Sequence, residues 1–266
     1  MMKVAQSGSM LIIRGEQIDA FRAKAQLEFE QLLVQHAQAF ASKHTEVLGP
    51  EGTLVVVRLC IERGQAYGFT GQGPLELFLD LMFLLGAEFD MDPQYAWAAE
   101  VLSPQSPGGQ MEKADRLHAV SMKYLDAVAG PDHTYARAAL VELQKSGTAL
   151  ARASANDFRG GIVRVMRQLY PQKAEYLGED RLQAVVDLSL ATCQAHGIQS
   201  VAGQCLITAL VYSLGHAITR DPLYPWVGRT LNDPLVPDPE QRAQKLYSRT
   251  KIYMQEAVKY LGSNKG

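Results

Sequence analysis

The segment Asp92-Pro93-Gln94-Tyr95-Ala96-Trp97 returns 129 residues later as Asp221-Pro222-Leu223-Tyr224-Pro225-Trp226. The match extends outward without a gap. Leu81, Leu85 and Gly86 align with Leu210, Leu214 and Gly215, Gln65-Ala66-Tyr67-Gly68 with Gln194-Ala195-His196-Gly197, and Leu102 with Leu231. Between Gln65 and Leu102, 12 of 38 aligned pairs are identical, where chance gives about two or three. Over Leu27 to Leu125 the count is 23 of 99, and the extra matches include Phe29 with Phe158, Leu48-Gly49 with Leu177-Gly178, Leu117 with Leu246 and Tyr124 with Tyr253. The pattern predicts two tandem, diverged copies of one unit, residues 1–130 and 131–266, with Ala129-Gly130-Pro131 between them.

The shared residues read as structural punctuation. Gly86 and Gly215 follow apolar runs, and Gly68 and Gly197 close others, where glycine accepts the left-handed backbone that ends a helix. Asp92-Pro93 and Asp221-Pro222 combine a capping carboxylate with proline at the first helical position. Trp97 and Trp226 then fall in the first turns of short helices, where the plain expectation is interhelical packing and the sharper one an anchor for a partner.

Helical periodicity dominates the rest. Helices are expected at about 18–41, 53–67, from 73, 93–102 and 111–128, and again at about 134–145, 147–169, 181–196, 201–216, 222–231 and 239–261. Pro50 and Gly52 are read as a break, and 103–109 and 232–239 as loops. The β-branched run Leu54-Val55-Val56-Val57 lies inside a helical pattern and aligns with Gln183-Ala184-Val185-Val186. The fold class is all-α, two packed bundle-like halves. The last residues, 262–266, are expected to fray.

Composition excludes several classes. The chain has 266 residues, 47% hydrophobic and 20% charged, which is ordinary for a globular protein and unlike a disordered one. Its longest apolar runs fall short of the roughly 18–20 residues that span a bilayer. The N-terminal stretch has no apolar core of signal-peptide length, so the expected location is the cytoplasm. A net charge of −2 gives no global signature for nucleic acid. The charge is uneven, however, at −6 over 1–130 and +4 over 131–266, which fits mutual attraction of the halves or surfaces for different partners. Cys60, Cys193 and Cys205 read as buried free thiols in a reducing compartment.

Catalytic signatures are missing. No histidine pairs with a second His, Cys or Glu at metal-ligand spacing. Gly71-Gln72-Gly73 lacks the strand context of a phosphate or dinucleotide loop. Arg152, Arg159, Arg164 and Arg167 give one helix a basic side but no interleaved aromatics, so it reads as a solvated face. Glu88, Asp90 and Asp92 alternate along one loop. They are able in principle to hold a hard cation, but only the capping Asp has a counterpart, so the expectation is a solvated acidic loop, with Glu88 and Asp90 facing a partner. No cofactor or metal is expected.

The strings Ile13-Arg14-Gly15-Glu16-Gln17, Tyr67-Gly68, Leu81 through Pro93, and Trp97 together resemble a family of all-helical bacterial proteins encoded beside type VI secretion effectors and their spike-tip (PAAR) proteins. The first half carries the pattern nearly whole, while the second keeps the Gly, Asp-Pro and Trp framework. The resemblance implies an effector adaptor, co-chaperone or immunity protein, and transfers no catalytic residue. The expected function is therefore a non-enzymatic protein that binds a secreted effector or spike-tip protein. The alternatives are an immunity protein that blocks a toxin, and an enzyme or small-ligand protein using a cleft between the halves.

Overall fold

Two helices that are apolar on most sides organise the chain. Α3 in the first half (α3, Gln72–Leu85) buries Leu75, Phe78, Leu79, Leu81 and Met82. In the second half α9 (Val201–Leu214) buries an unbroken run from Cys205 to Tyr212. A helix that is apolar on most sides must be covered on most sides, and the remaining helices do this, leaving a narrow strip of α3 at Gln72, Glu76, Asp80 and Leu84 partly open. The computed structural model describes residues 15–145 and 157–263. Among them there is no strand and no helix long and apolar enough to cross a membrane. The protein is all-helical.

The first half comprises α1 (Gly15–Phe40), α2 (Ser42–Ala66), α3, α4 (Ala96–Leu102) and α5 (Gln110–Val128), with short 3-10 turns at Phe89–Met91 and Pro93–Tyr95. Α1 lies along α2 and α3, and α5 packs on α3 and α4. A turn at Pro131–His133 leads to α6 (Thr134–Lys145). Then come α7 (Phe158–Leu169), α8 (Pro171–Ala195), α9, α10 (Pro225–Leu231) and α11 (Pro239–Ser263). Here α8 lies against α7 and α9, and α11 packs on α6, α9 and α10.

The bounds of α8, α9 and α10 each lie 129 positions beyond those of α2, α3 and α4. The backbone agrees at its unusual points. Gly49 (φ 71°, ψ 175°) and Gly178 (φ 72°, ψ 174°) interrupt α2 and α8 at aligned positions.

The non-helical backbone at Gly49 bears out the break expected near Pro50, and the helices expected from about Thr53 and Arg181 resume directly after Gly49 and Gly178, a few residues early. Each is preceded by a short helical run that was not expected, from Ser42 and from Pro171, so that α2 and α8 are each two helical pieces joined at a kink. The Thr53 hydroxyl donates to the Gly49 carbonyl at 2.8 Å across the step. Α7 starts at Phe158, and the remainder of the helix expected over 147–169 lies outside the described residues. The helices near 216 and 222 are also shorter than expected: α9 stops at Leu214 before Gly215, and α10 starts at Pro225 after a turn. Val56 and Val57 are buried in α2, where packing overrides β-propensity. The three cysteines are buried free thiols.

Candidate functional site

The residues singled out in the sequence converge where the two halves meet. After α3 the chain reverses at Gly86, and after α9 at Gly215, both in the left-handed region (φ 105° and 107°). The turns press against each other: a Cβ at Gly86 would lie 2.7 Å from the Leu214 carbonyl oxygen, and one at Gly215 would lie 3.1 Å from that of Leu85. Only glycine permits this backbone approach.

Two buried aspartates cross the contact in opposite directions. Asp92 caps its own turn by accepting from the Gln94 N–H at 2.9 Å, and its other oxygen accepts from the His216 N–H at 2.8 Å. Asp221 accepts from the Leu223 N–H at 2.8 Å and from the Ala87 N–H at 2.9 Å. Ala87 and His216 are themselves aligned positions. Each cap therefore also ties its own half to the other.

The two carboxylates nevertheless titrate differently. Burial raises both. At Asp92 the His216 side chain, with Nδ1 3.4 Å away, and the backbone donors outweigh burial and hold the group below the usual range. Asp221 faces Ala87 where Asp92 faces His216, and Glu88 adds repulsion, so burial pushes it up to about 6.

The acidic loop is not a solvated, partner-facing patch. Asp90 is 3% exposed and accepts a two-pronged hydrogen bond from Arg63 (3.1 and 2.6 Å) and another from the Tyr67 hydroxyl at 2.6 Å. Burial and the Asp90 hydrogen bond both push the Tyr67 phenol far up. Glu88 is held by Arg220 of the other half (2.8 and 2.6 Å), with His216 Nε2 3.7 Å away. Burial raises Glu88, and the Arg220 contact overrides it and keeps the group below its usual range. The loop turned inward because its cations come from α2 and from the far side of the junction. Among the described residues no cluster of three or more His, Cys, Asp or Glu is placed to hold a metal.

A second crossing escaped the sequence reading. Lys173 is 3% exposed. Its ammonium donates to the Tyr212 carbonyl at 2.5 Å and sits over the rings of Tyr212 and Tyr95, the latter from the first half. Burial lowers its pKa to about 8, with Asp92 partly opposing. The aligned residue is His44, whose Nε2 donates to the Leu223 carbonyl at 2.9 Å between the rings of Phe83 and Tyr224. Each half thus inserts one basic side chain into an aromatic slot shared with the other. The 129-residue alignment of His44 with Lys173 was the available signal.

The tryptophans face inward. Trp97 packs on Tyr95 and Tyr124, with centroids 6.0 and 5.7 Å away, and Trp226 packs on Tyr253 at 5.6 Å. Pro93 and Pro222 follow the capping aspartates, Pro93 opening a 3-10 turn and Pro222 a plain one. Gly68 and Gly197 sit in left-handed turns after α2 and α8.

The junction offers little space. The space lined by Leu85, Gly86, Asp92, Gly215, His216 and Asp221 among others is filled, with about 0 Å³ open to even a water molecule between loops whose carboxylates are already engaged. That is below the roughly 300 Å³ at which ligand pockets begin. The larger concavity is elsewhere: a groove of about 400 Å³ between α1 and α2, with Leu27, Val34, Pro50 and Leu54 as apolar walls and Gln31, Gln35 and Gln38 beside them. The Glu30–Arg58 ion pair (3.0 Å) closes one end. At the aligned place on α7 and α8 the surface is charged instead, with the pairs Arg159–Asp187, Arg167–Glu179 and Arg164–Asp157. These pairs engage three of the four arginines of the basic helix face; Arg152 lies outside the described residues. Comparisons with protein-family models, with curated proteins and with solved structures returned no match.

Proposed function

We propose that the chain is a tandem duplication of one helical unit, and that it acts as a non-enzymatic protein-binding scaffold. Three features support duplication: helix bounds 129 positions apart, aligned glycines with the same backbone angles, and the reciprocal Asp92–His216 and Asp221–Ala87 bonds. The observation that carries the binding role is the groove of α1 and α2. It is open, with Leu27, Val34, Pro50 and Leu54 as apolar walls, three glutamines beside them and the Glu30–Arg58 pair as its charged part, which suits the apolar face of an amphipathic helix. At the junction, by contrast, both aspartates are engaged by backbone donors of the two halves, so they read as cement and not as acid–base pairs.

Combined with the resemblance to proteins encoded beside type VI secretion effectors, this reading makes the chain an effector adaptor or co-chaperone in the cytoplasm. The partner helix belongs to a secreted effector or spike-tip protein. A photo-crosslinking residue at Gln38, activated in cells, is expected to trap such a protein, and Leu54→Glu to abolish the adduct. Adducts unaffected by Leu54→Glu, or none at all, would count against the groove. Co-expression with the trapped effector then separates adaptor from immunity protein, because only the latter protects the cell.

A further inference from the structure

The connection between the two halves is short and held in an unusual backbone. Five residues, Ala129 to His133, lie between the end of α5 and the start of α6. Three of them have positive φ: Gly130 at 73°, Asp132 at 50° and His133 at 55°. Asp132 and His133 are the only non-glycine residues so placed among the described residues. Aspartate and histidine enter the left-handed region more readily than most residues, but two in succession still carry a conformational cost. Gly130, with ψ 174°, sits where essentially only glycine goes, and a Cβ there would run into the Tyr135 ring.

The contacts that join the halves do not use this connector. The Asp92–His216 and Asp221–Ala87 bonds, the Glu88–Arg220 pair and the Lys173 slot against Tyr95 all lie outside it. They are the same whether the two halves belong to one chain or to two. A short, strained connector between elements whose mutual contact is self-sufficient is the condition under which copies exchange an element.

We propose that two copies of the chain exchange halves. The first half of one copy packs on the second half of the other, and the reverse, so every junction contact forms twice in the dimer. The connector opens into an extended segment, and Asp132 and His133 leave the left-handed region. Pro131 supports that form: it has no N–H with which to continue α5, and it biases Gly130 towards extended backbone. The exchange gives up the bonds of the closed turn, in which the Tyr135 and His133 N–H groups donate to the Ala129 and Gly130 carbonyls at 2.9 and 3.1 Å. Both junctions must open on the way, so monomer and dimer interconvert slowly and separate on a sizing column. The groove of α1 and α2 takes no part, and the dimer presents it twice.

Refolding the full chain from denaturant at increasing concentration should give a rising share of dimer. Which halves meet is read with two charge variants. Glu88→Arg and, in a separate chain, Arg220→Glu each set like charges against one another across their own junction. Refolded together they should form a one-to-one heterodimer, because exchange restores an opposite-charge pair at both junctions. On the otherwise native chain, Gly130→Ala, which the Tyr135 ring opposes in the closed turn, should raise the dimer share. Asp132→Gly combined with His133→Gly should weaken the dimer about tenfold by relieving the closed turn. A heterodimer together with these opposite shifts supports exchange. Charge variants that refold only as separate monomers overturn it. So does a native or Gly130→Ala chain that stays monomeric at every concentration, or a dimer whose share ignores the connector variants. Should the charge variants fail to refold, the connector series on the native junction decides alone.

Discussion

The two sides of the junction differ by one residue that matters. Asp92 looks across at His216, and Asp221 looks across at Ala87. The backbone hydrogen bonds are the same on both sides, yet one carboxyl is held acidic and the other is pushed towards neutrality. Geometry at this contact is therefore set by main chain and aspartate, and titration by the side chain opposite. The same lesson holds one step away, where the two aligned aromatic slots hold a buried lysine on one side and a histidine on the other.

The largest expected effect is at the glycines, and it should be unequal. An alanine at 86 would place its Cβ 2.7 Å from a carbonyl oxygen at a positive φ, whereas at 215 the nearest approach is 3.1 Å. Gly86→Ala should cost about 4 kcal/mol and Gly215→Ala about 2, by strain plus clash. Denaturant unfolding of both variants measures the gap, and equal losses would break the account of the contact.

Acid–base behaviour comes next. The folded chain keeps a proton on Asp221 up to about pH 6, while the unfolded chain releases it near pH 4. This carboxyl therefore favours folding most below pH 4, and that contribution disappears as pH rises through 6, by about 3 kcal/mol in all. Asp221→Asn should flatten this part of the stability profile. Ala87→His should do so too, by giving Asp221 the neighbour that Asp92 has. Asp92 acts with the opposite sign, its contribution being present above the unfolded value and lost in acid.

Lys173 allows a smaller test. Burial keeps its folded value near 8, so at pH 7 the protein holds a costly buried charge that becomes cheaper as pH rises towards 10. Lys173→Met, similar in length and apolar, should raise stability at pH 7 by about 2 kcal/mol and lose that advantage above pH 10. Thermal melts at the two pH values decide it. The smallest effect is at the surface: neutralising Asp187, whose pair with Arg159 is more than half exposed, should change stability by less than about 1 kcal/mol.

Much of the fold was legible because its signals are local. Apolar periodicity, the Asp-Pro steps and the glycines at helix ends each report on a few neighbouring residues; they marked Gly86 and Gly215 as helix-ending glycines, although the helix before Gly215 was drawn two residues too long. The break read at Pro50 and Gly52 falls beside the non-helical Gly49, but the short helical runs from Ser42 and from Pro171 were missed, because so few residues carry too little periodicity to register. The junction itself was hidden for a different reason. The donors that Asp92 and Asp221 reach across to are backbone N–H groups, which every non-proline residue carries, so nothing in the identity of Ala87 or His216 announces the bond. The inward turn of Glu88 and Asp90 depended on Arg220 and Arg63, which lie 132 and 27 positions away.

The central claim is that the halves are joined by two reciprocal aspartate–amide bonds. Amide hydrogen exchange at Ala87 and His216 tests it most directly. Both amides should be strongly protected in the native protein, with Asp221→Ala accelerating exchange first at Ala87 and Asp92→Ala first at His216. Protection at Ala87 that is indifferent to Asp221, or at His216 that is indifferent to Asp92, would contradict the account.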